Sequence, residues 1–313
     1  MIFQNTHHNG KGVRVLGVRG LGDRTSILQR LVVPALGGLV LLSVTIPQPA
    51  RAAGAGQLAL VQRASLPASP ADKAWSDVAV VPVPLVVQDM VEPRLLDAST
   101  AEVRVRAATD GTRVAFLLDW DDATGNDEQK PSSFIDACAV QLPATVAADV
   151  PAPQMGEPGR GVEISYWRAS WQAMVDGRPD TLKAIYPNAA IDHYPFEAES
   201  LEKDPAAKEE MAKRYAPARA VGNTMAGPRQ QPVEDLIAEG PGSLSPAPKS
   251  QSTGSGKRGA KGWSVMIVRP LPQGLTPGKR TQVAFAVWQG AHGESGARKM
   301  RSVWMPLARE ANK

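Results

Sequence analysis

Between residues 101 and 120 polar and apolar positions alternate. Val103 and Val105 fall on one side of an extended segment, with Glu102, Arg104 and Arg106 on the other. That period of two places successive side chains on opposite faces of a strand. Thr109-Asp110-Gly111 follows, and Asp-Gly supplies the positive φ angles of a tight turn. Residues 113–120 return as an apolar strand, so 101–120 predicts a β-hairpin. Strand character recurs at 58–61, 78–87, 134–142, 161–171, 262–271, 283–290 and 297–304. Two stretches break the pattern. Residues 197–216 are charged and compatible with a short surface helix. Residues 240–261 are rich in Gly, Ser, Pro and Lys and read as a disordered, flexible loop. Strands punctuated by turns predict a mainly β fold. The expectation is a single antiparallel β-sandwich domain, immunoglobulin-like, with short helical insertions.

The first fifty residues have a different texture. Residues 1–30 carry Lys11, Arg14, Arg19, Arg24 and Arg30 against only Asp23. Residues 31–46 then run without a charge, and Ala50-Arg51-Ala52-Ala53 supplies small residues for cleavage near Ala52 or Ala53. This order is that of an export signal. The competing reading, a membrane anchor, needs roughly 20 apolar residues. The run is shorter and holds Pro34, Gly37 and Gly38. The expected division is a signal peptide at 1–53 and one domain at 54–313, with a periplasmic product that has no stable membrane anchor.

Charge follows from that division. The whole chain carries a net +4, but residues 1–52 hold six basic residues and one acidic one. The remainder has 29 basic against 30 acidic residues, a net of −1. Such a balance does not point to nucleic acid as a partner. The chain is 43% hydrophobic, enough for a sizeable core. Its one cysteine, Cys138, lies in an apolar strand-like run and reads as a buried thiol. One cysteine makes neither an internal disulfide nor a Cys-x-x-Cys-His covalent haem attachment.

Hydrolytic and metal chemistry find little support. His7 and His8 lie in the leader, and His193 and His292 have no second His at ligand spacing. No Gly-x-Ser-x-Gly, phosphate-binding Gly-rich loop or Gly-x-Gly-x-x-Gly opens a helix. The cluster Asp119-Trp120-Asp121-Asp122 reads as a solvated hairpin end. No catalytic residue is assigned.

The C-terminal segments are the most informative. They read Gly-Trp-Ser-Val-Met-Ile-Val-Arg-Pro-Leu (262–271), Val-Ala-Phe-Ala-Val-Trp-Gln-Gly (283–290) and Ala-Arg-Lys-Met-Arg-Ser-Val-Trp (297–304). Upstream, Met155 sits in Pro-Ala-Pro-Gln-Met-Gly-Glu-Pro (151–158), between Ala-Val-Gln-Leu-Pro (139–143) and Trp-Arg-Ala (167–169). In this order and spacing, the chain resembles the haem b gamma subunits of type II DMSO-reductase-family molybdenum enzymes. Dimethylsulfide dehydrogenase, ethylbenzene dehydrogenase, selenate reductase and chlorate reductase carry such subunits. The likeness runs over roughly 57–309.

The resemblance implies a non-covalent haem b, one per chain, with Met155 and Lys299 as iron ligands. A loop methionine is otherwise read as a cap over the core, and a loop lysine as solvent-exposed. Lys261 is the alternative lysine, and Met300 and His292 stay open beside it. Thioether sulfur is a soft, neutral ligand that raises a haem potential. A lysine amine serves once burial and the metal keep it deprotonated. Trp167, Trp171, Trp263, Trp288 and Trp304 either line the haem slot or pack the sandwich. Arg168, Arg269 and Arg298 are candidates to pair with haem propionates. The implied partners are a molybdopterin-containing alpha subunit, an iron–sulfur beta subunit and a soluble carrier such as a c-type cytochrome. The competing reading is a secreted binding module without a cofactor, whose exposed tryptophans stack on carbohydrate or meet another protein.

Overall fold

The computed structural model describes residues 56–179, 181–188, 203–215, 217–223 and 227–310. The leader expected at 1–53 and His193 lie outside them. In chain order the strands are β1 (Leu58–Gln62), β2 (Val81–Pro84), β3 (Val86–Val87), β4 (Glu102–Thr109) and β5 (Arg113–Asp121). Then come β6 (Ala137–Pro143), β7 (Val162–Arg168), β8 (Val233–Ala238), β9 (Ser245–Pro246) and β10 (Thr253–Arg258). β11 (Gly262–Pro270), β12 (Arg280–Trp288), β13 (Met300–Arg301) and β14 (Met305–Arg309) complete the set. The helices are short: α1 (Ala169–Val175), α2 (Leu182–Ile185), α3 (Pro205–Tyr215) and α4 (Pro217–Ala220).

The strands form two layers. One runs β10-β11-β5-β4, with β2 also on β4; the other runs β14-β12-β6-β7-β8-β9, with β13 on β12 and β3 on β13. β1 joins them, pairing in parallel with β14 through Leu58–Leu60 and with β4 through Val61 and Gln62. The remaining pairs are antiparallel. The expected hairpin is β4–β5, with Arg104 opposite Asp119 and Thr109 opposite Val114.

The core lies between the layers. Val103, Val105, Phe116 and Trp120 of one layer meet Cys138, Val140, Trp167 and Phe285 of the other. Each of these is an alternate residue of its strand, so the binary pattern and the core coincide. Trp167 packs edge-to-face on Trp120 at 6.3 Å and on Trp263 at 5.0 Å. Such pairs add about 0.5–1.5 kcal/mol each beyond area burial. Cys138 is buried there, as its apolar surroundings predicted.

Two expectations change. Residues 240–261 hold β9 and β10, and β10 pairs with β11 over its whole length. Its glycines serve close approach: a Cβ on Gly256 would meet the Trp167 ring at 2.2 Å. The strand expected at 161–171 ends at Arg168, where Ala169 N–H donates to Asp136 O and the chain turns into α1.

Candidate functional site

β6 is buried on both faces, and β12, β7 and β8 are so over part of their length. Their inward residues build the core, and their outward residues build a second surface. Register arranges that surface in rows. Ala286 lies opposite Ala139, Ala139 opposite Tyr166, and Tyr166 opposite Glu234. The next row is Ala284, Gln141, Ile164 and Leu236; another is Trp288, Ala137 and Arg168. Alanines at the middle of a sheet face leave a shallow, flat, apolar floor. The segments 153–155, 241–246 and 294–302 rise around it and enclose a cavity of about 810 Å³. That is within the roughly 300–1,000 Å³ of cofactor and ligand sites.

Met155 lies on the β6–β7 connection, with φ of 70°. A non-glycine residue in the left-handed region is uncommon and is held there by its surroundings. Gly156 follows at φ 81°, and a Cβ on it would meet Arg160 O at 2.9 Å. Gly156 N–H donates to Ala152 O at 2.9 Å, and Gly240 N–H donates to Met155 O at 2.8 Å. These contacts fix the loop and aim the half-buried Met155 side chain over the floor.

Lys299 enters from the segment between β12 and β13. Its Nζ lies 3.8 Å from Met155 Sδ and 5.1 Å from the centre of the Trp288 ring. Burial pushes its ammonium down to about 8, with the Arg301 charge adding to the shift. Desolvation disfavours the charged form, so the neutral amine is within reach near physiological pH. The site thus offers a soft thioether and a readily deprotonated amine above a flat apolar surface. This donor set fits a planar metal macrocycle held without covalent attachment.

The other expected residues divide. Trp288 lines the cavity, is 8% exposed, and its indole N–H donates to Gly296 O at 3.1 Å. Arg168 also lines it. Trp167 does not face the slot: it is the inward neighbour of Arg168, and consecutive strand residues point to opposite faces. Its indole donates to Gln172 Oε1 at 3.2 Å inside the core. Trp304 acts from the side, its Nε1–H donating to Pro151 O at 2.7 Å at the start of the methionine loop. Arg298 places its guanidinium 5.6 Å over Phe134, a lining residue. Arg269 is buried and paired with Glu163.

The residues weighed beside Lys299 are placed differently. Lys261 is an exposed residue of the β10–β11 turn, on the other layer. Met300 is 1% exposed in the inter-layer core, and His292 is exposed. Of the seven tryptophans, six are buried and Trp304 is half-buried. None is the exposed stacking platform that a binding module of the expected kind would use.

Sequence reasoning missed Tyr166, Gln88, Gln141 and the alanine floor. Tyr166 is edge-on to Trp288 at 5.4 Å, and burial pushes its phenol up to about 12. The floor had a signal: Ala137 and Ala139, like Ala284 and Ala286, alternate with larger core residues in strands buried on both faces.

Known proteins share sequence with this chain. A family model described as ethylbenzene dehydrogenase matches residues 72–300. A Haloferax mediterranei protein described as a respiratory nitrate reductase heme subunit is 33% identical over 118 residues, 37% of this chain and 42% of that one. The chlorate reductase subunit gamma of Ideonella dechloratans is 24% identical over 218 residues, 67% of this chain and 66% of that one. The chain therefore spans less than two thirds of the length of either relative. Among solved structures, a family 9 carbohydrate-binding module of Caldicellulosiruptor kristjanssonii with cellotriose covers 82% of this chain and 95% of its own. Its identity is 8% and its TM-score 0.39, too low to bear on ligand or function. The family-model match over most of the chain is decisive: the chain belongs to the ethylbenzene dehydrogenase family.

Proposed function

We propose that this chain is a haem b electron-transfer subunit of a molybdenum oxidoreductase, with Met155 and Lys299 as its two protein ligands to iron. The observation that carries the reading is the meeting of Met155 Sδ and Lys299 Nζ at 3.8 Å over an apolar sheet face. A neutral thioether favours reduced iron, and a desolvated amine completes the pair. Held by these two protein ligands, a haem would supply one-electron transfer and would not activate substrate.

The chain's own residues then do the rest. Ala139, Ala284 and Ala286 make room for a flat group and exclude water from one side of it. Lys299 would hold the iron as the neutral amine, its proton released to solvent. Trp288 packs beside the lysine, and Arg168 at the cavity wall would pair with a propionate. One such site per chain is the expected stoichiometry.

The relatives' names support membership of a larger complex. We assign the partners as a molybdopterin-containing alpha subunit, an iron–sulfur beta subunit and a soluble c-type cytochrome or similar carrier. Export to the periplasm rests on the leader. Among the described residues no helix is long and apolar enough to cross a membrane. A mature net charge of −1 favours docking by shape and apolar contact over broad electrostatic capture.

The test is spectral. The purified full chain, expressed with a haem supply, is expected to show a Soret band and a low-spin reduced spectrum. Met155→His is expected to stay low-spin with a lowered potential, because imidazole favours ferric iron more than thioether does. A colourless but fully folded protein overturns the reading.

A further inference from the structure

Two buried glutamines stand behind the ligand pair. Gln141, 8% exposed, lies in the floor, and its Nε2 donates to Pro153 O at 3.0 Å, two residues before Met155. Gln88, 4% exposed, lies on the opposite side of the cavity, just after β3. Its backbone N–H donates to Lys299 O at 3.0 Å, and its Nε2 donates to Ala297 O at 3.1 Å and to Val91 O at 2.8 Å. Its Oε1 accepts from Met90 N–H at 2.9 Å and Val91 N–H at 2.8 Å. Neither glutamine bonds to the Met155 or Lys299 side chain. Each bonds to the backbone that carries one.

We propose that Gln141 and Gln88 are positioning residues, Gln141 for Met155 and Gln88 for Lys299, which hold the two loops so that sulfur and nitrogen converge on one point. The inference rests on the ligand assignment made above. Both ligands come from irregular segments, one of them in the left-handed conformation, and the regular β ladder does not itself fix such segments. A buried amide that spends its hydrogens on loop carbonyls supplies the missing constraint. The Met155 side chain carries only a weak acceptor sulfur and does not anchor its own loop. Loss of the Gln141 amide leaves Pro153 O without this donor, and the loop relaxes away from its held geometry. Loss of the Gln88 amide frees Ala297 O in the same way, two residues before the lysine.

The test compares Gln141→Leu and Gln88→Met with wild type in the full chain. Gln88→Met removes the amide without burying a charge, and Gln141→Leu, which loses a single hydrogen bond, keeps the proposal testable if Gln88→Met folds poorly. Carbon monoxide binding to the ferrous protein reads whether a ligand position has opened. Both variants are expected to bind carbon monoxide where wild type does not. Their haem off-rates should rise about fivefold, the factor set by one hydrogen bond of ordinary strength. The melting temperature of Gln141→Leu should stay closer to wild type than that of Gln88→Met, which loses more hydrogen bonds. Variants that exclude carbon monoxide and lose haem at the wild-type rate overturn the proposal, provided Met155→Ala and Lys299→Ala do bind it. If those ligand variants are also silent, the ligand assignment itself has failed.

Discussion

Met155 and Lys299 meet at 3.8 Å although 144 residues separate them in the chain. One comes from the connection leaving β6, the other from the segment leaving β12, and those two strands are neighbours paired from Ala284–Gln141 to Trp288–Ala137. The strands are antiparallel, so their outgoing loops leave from opposite ends of the pair and turn back over the same face to meet. The donor pair is therefore a product of topology, and it can be broken one member at a time.

Removing the amine is the sharpest such break. Lys299→Ala is expected to open a coordination position and to give high-spin character with faster haem loss. Lys261→Ala, at an exposed turn on the other layer, should leave the spectrum unchanged. Absorption spectra of the two variants decide it, and a spectral change confined to Lys261→Ala would sink the assignment of Lys299.

The alanine floor makes a steric prediction. Ala286→Leu adds a branched side chain to a surface that lines the cavity. Haem loading should fall about tenfold, equivalent to about 1.4 kcal/mol of lost affinity. Stability should change little, because the added atoms enter a void. Titration of the apoprotein with hemin measures the first, and thermal unfolding the second. Wild-type hemin affinity in this variant would show that the floor is not where the ligand lies.

Trp167 should behave in the opposite way to the lining residues. It is fully buried between the layers against Trp120 and Trp263. Trp167→Ala should cost about 3–5 kcal/mol of stability through the cavity it leaves. The haem that remains bound in folded protein should keep a wild-type spectrum. Urea unfolding and a spectrum of the folded fraction test both halves.

Asp136 gives the stability a pH dependence. Burial pushes its carboxyl up to about 6, against donation from Asn126 N–H, Gly290 N–H and Trp263 Nε1–H, with the nearby Asp122 charge adding to the rise. The folded protein then binds this proton more tightly than the unfolded chain, whose value is about 3.9. The contribution is fully present below about pH 4 and is lost as pH rises through about 6. Relative to Asp136→Asn, the wild type should therefore be favoured most at pH 4 and least at pH 7. Urea midpoints for both proteins across that range check the slope, and a difference that does not vary with pH refutes it.

Export is tested directly. Amino-terminal sequencing of the mature protein should begin near residue 53 or 54, after the small residues of Ala-Arg-Ala-Ala. A mature protein that still begins at Met1 would remove the basis for a periplasmic site of action.

The sequence alone determined what depends on neighbours in the chain. Alternation at 102–106 and the Asp110-Gly111 turn are local, so the β4–β5 hairpin was legible. The apolar run around Cys138 announced a buried strand for the same reason. Met155 and Lys299 were legible only through likeness to a family, since nothing beside either residue says that it faces the other. The same alternation, applied to Trp167 and Arg168, separates them onto opposite faces, although both were expected at the slot. Tertiary structure decided the rest. Glycine composition read as flexibility at 240–261, yet Gly256 is small because the Trp167 ring lies against it. Trp304 and Gln88 act on carbonyls of segments remote in sequence, and Gln141 on the loop that follows its own strand. Hydrogen bonds of that kind have no local pattern: a glutamine that anchors a distant loop has the same neighbours in the chain as one that faces water. Strand order, which sets which loops share a face, is fixed by packing across the whole sandwich and not by any one segment.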